Sequence, residues 1–529
     1  MPTAIKDQLW RLITSLNKAE KRNFKLYATR AGATGDSKFI QLFDVIDRLE
    51  TPDDASVTKK LGLTPSQYSN LKRHLYQQVL TSLRLIYISK EIDIELREQI
   101  DFSHILYGKG LYLDALRTLE RAKSRSVEHN RDLLHLEILE FQKLIEARHI
   151  TLSRQIDNKM DLLLNESAAR SYSVLNTSEL FNLNIQIHGR YIETGHSRSV
   201  QDRRDNEEYW KSIQTRRVDR ETVSSTFHQK INRFQASMWY HYIQLGFAEA
   251  LDSALNALTL FHLSSHMRVK DPDLYLRCLY YVTLFAYLSG DAPRLHRYTT
   301  VMAKFLDDEQ IKLNENSQLI GHTYYGLMRL NAHFAVGEWD EARQYGRQLR
   351  ERYISKLFRP TDHRWGLFLF KFAATCFVQR RYEEALDYLN EIINMKTGIL
   401  REDLLLNTKL LVLIAHYELG NRALVDYHLT NFGRQMRRST DTAEVHRLAA
   451  ATLRKLNKMV GIDQTDTFRK LGADLRKVAA TNPFEHKSLL YLDLTQWVAQ
   501  HLPAETGSAP GQRPSSAVPY GVSPVAPLL

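Results

Sequence analysis

Few side chains in this sequence are spaced for chemistry. His262 and His266 of FHLSSHM stand four apart, which puts them on one helical face at a spacing compatible with a metal ion. No glutamate lies between them and no third ligand follows, so packed or exposed histidines are expected and no metal. Glu383–Glu384 and Asp307–Asp308 are adjacent carboxylates that fall at helix starts or turns, where they complement the helix dipole. Cys376, in FAATCFVQ, has apolar neighbours and no histidine nearby, the setting of a buried, inert thiol. The chain has no G-x-x-x-x-G-K-[ST] phosphate loop, no G-x-G-x-x-G turn after a strand, no G-x-S-x-G elbow and no H-E-x-x-H. The expectation is a protein without catalytic residues, cofactor or metal, and not an enzyme.

Binding chemistry is better represented. VTKKLGLTPSQYSNLKRHLYQQVL, residues 57–80, reads as a helix, a turn at Gly62 and a second, basic helix. Thr64 suits the N-cap and Pro65 the first helical position, where no N–H partner is needed. The spacing resembles a DNA-binding helix-turn-helix, with Thr58 where alanine is usual and Tyr68 where a branched aliphatic is usual. Its second helix would expose Gln67, Asn70, Lys72 and Arg73; the amides suit adenine edges and the cations suit guanine or phosphate. An ordinary capped junction between two packed helices explains the same residues. Residues 1–90 carry fifteen Lys and Arg against eight Asp and Glu, but the acidic run EIDIELREQID at 91–101 offsets part of that excess. Further on, RQYGRQLRERYISKLFRPTDHR (343–364) puts Arg343, Arg347 and Arg350 on one helical face. That face is a clamp for an acidic peptide or phosphate, or else a solvated outer surface.

Helices must position all of these groups. The chain has only 22 Gly and 13 Pro in 529 residues, and six of the prolines follow residue 502. The remainder is rich in the good helix formers Leu, Ala, Glu, Lys, Arg and Gln, with no alternating β-branched runs between turns. The predicted fold is all-α. A unit recurs in GLYLDALRTLERA (from Gly110), GFAEALDSALNAL (Gly246), GDAPRLHRYTTVM (Gly290), GEWDEARQYGRQL (Gly337), RRYEEALDYLNEI (Arg380) and GNRALVDYHLTNF (Gly420). Each has a turn residue, usually an aromatic, then a small or apolar anchor with further such residues four and seven positions on, one stripe down a helix. The anchors at 115, 250, 295, 342, 385 and 425 give later intervals of 40–47 residues, and the first gap leaves room for two degenerate units over 125–225. A helix pair that cannot bury its own face stacks on its neighbours.

GEWDEA and RRYEEALDYLNEI resemble the turn and second helix of tetratricopeptide repeats, and the resemblance covers roughly residues 91–435. The period exceeds that family's 34 residues, and its tryptophan-leucine-glycine signature is missing. Together with the terminal NPFEHKSLLYLDLTQWVAQHL, the pattern is similar to bacterial tetratricopeptide-like proteins with no assigned activity. The resemblance implies a superhelical array of antiparallel helix pairs that captures a protein or peptide in a groove, and no reaction.

The expected organisation is an N-terminal helical domain (1–90), repeats (91–435), C-terminal capping helices (436–502) and a disordered tail (503–529) with only two charged residues, Glu505 and Arg513. The polar stretch 196–225 is either a hinge or an exposed helix laced with salt bridges. No stretch approaches the roughly 18 apolar residues of a membrane span, and the start has no signal-peptide core. Two cysteines, Cys278 and Cys376, give no disulfide framework, which fits a cytoplasmic setting. The expected function is a non-catalytic scaffold for a protein or peptide partner. The alternative is a transcription regulator that binds DNA through residues 57–80 and senses through the repeats.

Overall fold

The computed structural model describes residues 8–30, 38–149, 158–215, 226–395, 402–439, 442–459, 463–485 and 494–503. Among these residues the regular elements are 24 α-helices and one 3-10 turn at Pro483–Glu485, with no strand. None of the described helices is long and apolar enough to cross a membrane. The chain divides into two compact units, 1–175 and 176–529.

The first unit holds α1 (Gln8–Ser15), α2 (Lys18–Arg30), α3 (Lys38–Asp47), α4 (Asp54–Leu61), α5 (Pro65–Tyr87), α6 (Ile92–Gly108), α7 (Tyr112–Glu128) and α8 (Asp132–His149). It has two cores. The helices α1–α5 enclose Leu9, Phe24, Phe43, Val57, Leu75 and Val79, with α5 packed on α1, α2 and α3. The helices α6–α8 enclose Leu96, Ile100, Leu119, Ile138 and Ile145. The cores separate near residue 90, whereas the compact unit runs on to Leu175. Helix α9 (Lys159–Thr194) starts in the first unit and ends in the second.

The second unit continues with α10 (Val200–Thr215), α11 (Phe227–Ile243), α12 (Phe247–Leu263), α13 (Met267–Lys270), α14 (Pro272–Leu288), α15 (Ala292–Leu306), α16 (Glu315–Val336) and α17 (Trp339–Ile354). It closes with α18 (Asp362–Val378), α19 (Tyr382–Ile393), α20 (Glu402–Glu418), α21 (Arg422–Arg438), α22 (Glu444–Lys458), α23 (Thr465–Thr481) and α24 (Leu494–Ala499). One core runs from Leu180 to Val498. The helices pack in consecutive pairs, α11 with α12, α14 with α15, and so on to α22 with α23; each second helix also packs on the first helix of the next pair. First helices lie beside first helices, α14 on α16 and α16 on α18.

One turn builds these pairs. At Gly110, Gly290, Gly337 and Gly420 the backbone is left-handed, with φ between +73° and +79°. The amide of the left-handed residue bonds back three residues and the following amide bonds back five, as in Asn421 N to His416 O at 2.9 Å, which satisfies carbonyls at the helix end. The next helix starts two residues after the left-handed one. At GFAEAL the left-handed residue is Leu245, and Gly246 is the N-cap; at RRYEEAL it is Arg380. The anchors then fall three residues into the second helix, and Ala115, Ala250, Leu295, Ala342, Ala385 and Val425 are each at most 1% exposed. Full burial of such a stripe, Ala385, Leu389 and Ile392 for example, contributes about 1.5–3 kcal/mol per large aliphatic. Four aromatic pairs staple the turn: Tyr107 with Tyr112, Tyr242 with Phe247, Phe334 with Trp339 and Phe377 with Tyr382, at ring separations of 5.3–6.2 Å.

Two expectations change. Among its described residues, the span 125–225 read as two degenerate units holds α8, a single 36-residue helix α9, and α10, and not two helix pairs. A seventh copy of the turn, left-handed at Asn130, joins α7 to α8 instead. Helix α12 ends at Leu263, so His262 and His266 do not share a helix. Residues 200–215 of the polar stretch are helical, with ion pairs Arg198–Asp202 and Lys211–Glu207; 216–225 lie outside the described residues, as do 504–529 of the expected disordered tail.

Candidate functional site

The helix-turn-helix-like segment is built as its sequence suggests. Gly62 is left-handed (φ +59°), Pro65 opens α5, and Thr64 and Gln67 form a reciprocal capping box. Tyr68 is buried and donates its hydroxyl to Asp54 Oδ1 at 2.6 Å, and Lys72 ion-pairs with the same carboxylate at 2.9 Å. Burial, followed by the bond to Asp54, pushes the Tyr68 phenol up. Gln67, Asn70 and Arg73 are exposed, but the Gln67 amide serves the cap and Arg73 donates to Asn70 at 3.0 Å. Lys72 is half-buried against the Tyr68 ring. Each of the four side chains proposed to read DNA therefore has an intramolecular partner.

The arginine face of α17 is also engaged. Arg347 ion-pairs with Glu384 at 2.9 Å and Arg343 reaches the same carboxylate at 3.7 Å, while Arg350 binds Glu391 at 2.8 Å and lies over the Tyr388 ring. The acids belong to α19, the second helix of the next pair. These exposed or half-exposed pairs contribute up to about 1 kcal/mol each and bind neighbouring pairs together. The sequence puts Glu384 37 residues from Arg347, so their juxtaposition depends on how the pairs stack.

A different set of cations lacks such partners. On the first helices α14, α16 and α18, Tyr280 stacks on Tyr324 with ring centroids 4.3 Å apart and planes 12° apart. Arg364 extends over both rings, its guanidinium carbon 5.5 Å and 5.4 Å from their centroids, and it donates to the Tyr280 hydroxyl at 3.4 Å. Arg277 donates to the Tyr324 hydroxyl at 3.2 Å. His188, from the part of α9 in this unit, stacks on Trp239 at 4.1 Å. Burial first, then the positive charge of Arg277 and Arg364, depresses its pKa. Burial opposes the charge on Arg364, and Tyr280, Tyr324 and Tyr281 more than offset it. Among the described residues no carboxylate ion-pairs with either arginine.

One heptad further along the same helices a second layer repeats the arrangement with Tyr287, Asn331 and Lys371. Lys371 is 2% exposed and donates to Asn331 Oδ1 at 2.7 Å, with the Phe334 and Tyr287 rings 5.2 Å and 5.9 Å away. Burial alone lowers its pKa to about 7. Across α14, α16, α18 and α20, every Asp and Glu sits at the first two positions or the last, while Arg277, Arg329, Arg364, Lys371 and Lys409 lie inside. A guanidinium set among tyrosines without a counter-charge is stabilised by any anion that reaches it. The sequence reading missed these residues because each stands alone in an apolar helix and only stacking brings them together.

Cys278 and Cys376 are both buried, and burial pushes each thiol up to about 12, which keeps them protonated and inert near neutral pH. No group of three His, Cys, Asp or Glu side chains that could hold a metal occurs among the described residues. No family model, no curated protein and no solved structure matches the chain.

Proposed function

We propose that the chain is a non-catalytic, tetratricopeptide-like scaffold that holds an extended protein or peptide along the faces of its first helices. The observation that carries this reading is the row of first helices α14, α16 and α18, where exposed Arg277 and half-buried Arg364 have tyrosines for neighbours and, among the described residues, no carboxylate partner. Pockets on successive first helices would take successive side chains, and Arg277 with Arg364 would anchor an acidic one. The paired arginines of α17 serve cohesion in this reading, not capture.

Photo-crosslinking tests it. A crosslinker placed at the exposed Arg277 position should trap one polypeptide segment in cells, and that segment made as a peptide should compete it away. The same group at the exposed Leu424 of α21 should trap nothing comparable. Equal yield at both positions, or a trapped segment that does not compete, would remove the reading.

The second reading, DNA binding through α4 and α5, draws support from the left-handed Gly62 and the exposed Gln67, Asn70 and Arg73. It ranks lower because Lys72 is engaged by Asp54 and Gln67 by the cap. It requires duplex affinity that falls steeply with salt and disappears in the Lys72→Glu, Arg73→Glu double variant.

A further inference from the structure

On another face of the same unit, α19, α20 and α21 border a groove of about 470 Å³, within the range of small-molecule sites. Its cations are Lys409 of α20 and Arg434 and Arg438 of α21, and no Asp or Glu lines it among the described residues. Arg434 donates to Asn431 at 3.3 Å; Lys409 is half-buried and burial lowers its pKa. Tyr427, Asn431, Arg434 and Arg438 follow one another at helical spacing, so α21 presents an aromatic ring at one end of the stripe and positive charge at the other. Tyr427 is 62% exposed, which leaves its ring available to a flat partner. Between these ends, Gln435 Oε1 is buried without a hydrogen-bond donor.

We propose that this groove binds a mononucleotide. The phosphate would lie on Lys409, Arg434 and Arg438, the base against the Tyr427 ring, and a hydroxyl or amino group would donate to Gln435 Oε1. A free inorganic phosphate would satisfy the cations but leave the ring and the buried acceptor unused. Most of this lining belongs to α21, and Lys409 of α20 is not among the α14, α16 and α18 residues that carry the scaffold reading, so failure here would leave that reading untouched.

The test is calorimetric titration of the full chain with AMP, GMP, CMP and UMP, beside pyrophosphate, adenosine and a ten-nucleotide RNA. At least one mononucleotide should bind, and the Arg434→Gln, Arg438→Gln double variant should weaken it about tenfold or more. Lys409→Met should weaken it similarly. Arg437→Gln, an exposed position of the same helix that does not line the groove, should leave binding unchanged. Gln435→Leu should weaken the nucleotide but not pyrophosphate. Absence of binding by all four mononucleotides overturns the proposal. So does equal affinity for the parent and the double variant. Pyrophosphate or the RNA binding more tightly than every mononucleotide would also overturn it, by assigning the cations to bare phosphate or to a polymer.

Discussion

Lys371 occupies a position that opposes its own charge. It is enclosed by α18 and its neighbours, its one hydrogen-bond acceptor is Asn331, and burial brings its pKa to about 7 against about 10.4 in an unfolded chain. Because the folded value is depressed, the unfolded chain binds the proton more tightly. Above about pH 11 the amine is neutral in both states and the position costs little. As pH falls from about 10 to about 7 the unfolded state gains a proton that the folded state does not, and stability drops by up to about 1.4 kcal/mol per pH unit. Below the folded value the cost is constant. Stability should therefore rise with pH across that window. Lys371→Met combined with Asn331→Leu should be more stable than the parent by a few kcal/mol near pH 7, with the difference vanishing by about pH 11. Urea midpoints of both chains at several pH values measure this; parallel profiles would mean the amine is solvated. The residue stood in plain view in GLFLFKFAATCFV. What the sequence lacked was the neighbouring helix that supplies Asn331 and excludes water.

The left-handed turn is the element on which the helix pairs depend, and it was legible where glycine marks it. Four of the turns carry glycine at the left-handed position, while Asn130, Leu245 and Arg380 adopt the same conformation with a side chain, at a cost of about 1 kcal/mol or more. Arg380→Gly should raise stability by about 1 kcal/mol and Gly420→Ala should lower it by a similar amount, read as opposite shifts of the urea midpoint. A null result at both would mean that the turns relax without strain. The seventh turn escaped the sequence reading for a physical reason: the position three residues into α8 is His135, not a small apolar residue. His135 is buried nonetheless because Glu166 takes its ring nitrogen at 2.9 Å. Helical packing makes a second prediction. A Cβ on Gly346 of α17 would lie 2.8 Å from the Phe372 ring of α18. Gly346→Ala should cost about 1–3 kcal/mol through overpacking, against the small gain that alanine brings to an exposed helix.

In the second unit, every pair buries a face on its neighbour, so the end of the row needs a cover. Helix α24 supplies one: Trp497 is buried and donates its indole N–H to Glu418 Oε1 at 2.6 Å. His501 reaches the same oxygen at 2.8 Å while stacking on Phe468. A residue four helices back in the sequence, Glu418 of α20, is thereby tied to the last described helix. Repeat arrays behave nearly one-dimensionally, with stability passed from each unit to the next. Trp497→Ala should therefore do more than remove a large side chain at about 3–5 kcal/mol. It should loosen α22 and α23 first, leave α14 and α16 protected, and produce a gradient rather than a uniform loss. Hydrogen exchange followed helix by helix tests this directly. Faster exchange confined to α20–α23 fits nearest-neighbour coupling, whereas equal acceleration from α11 to α23 would show that the second unit unfolds as one cooperative body. On the scaffold reading proposed above, an array that opened from one end would admit a partner to its first-helix face without unfolding the rest.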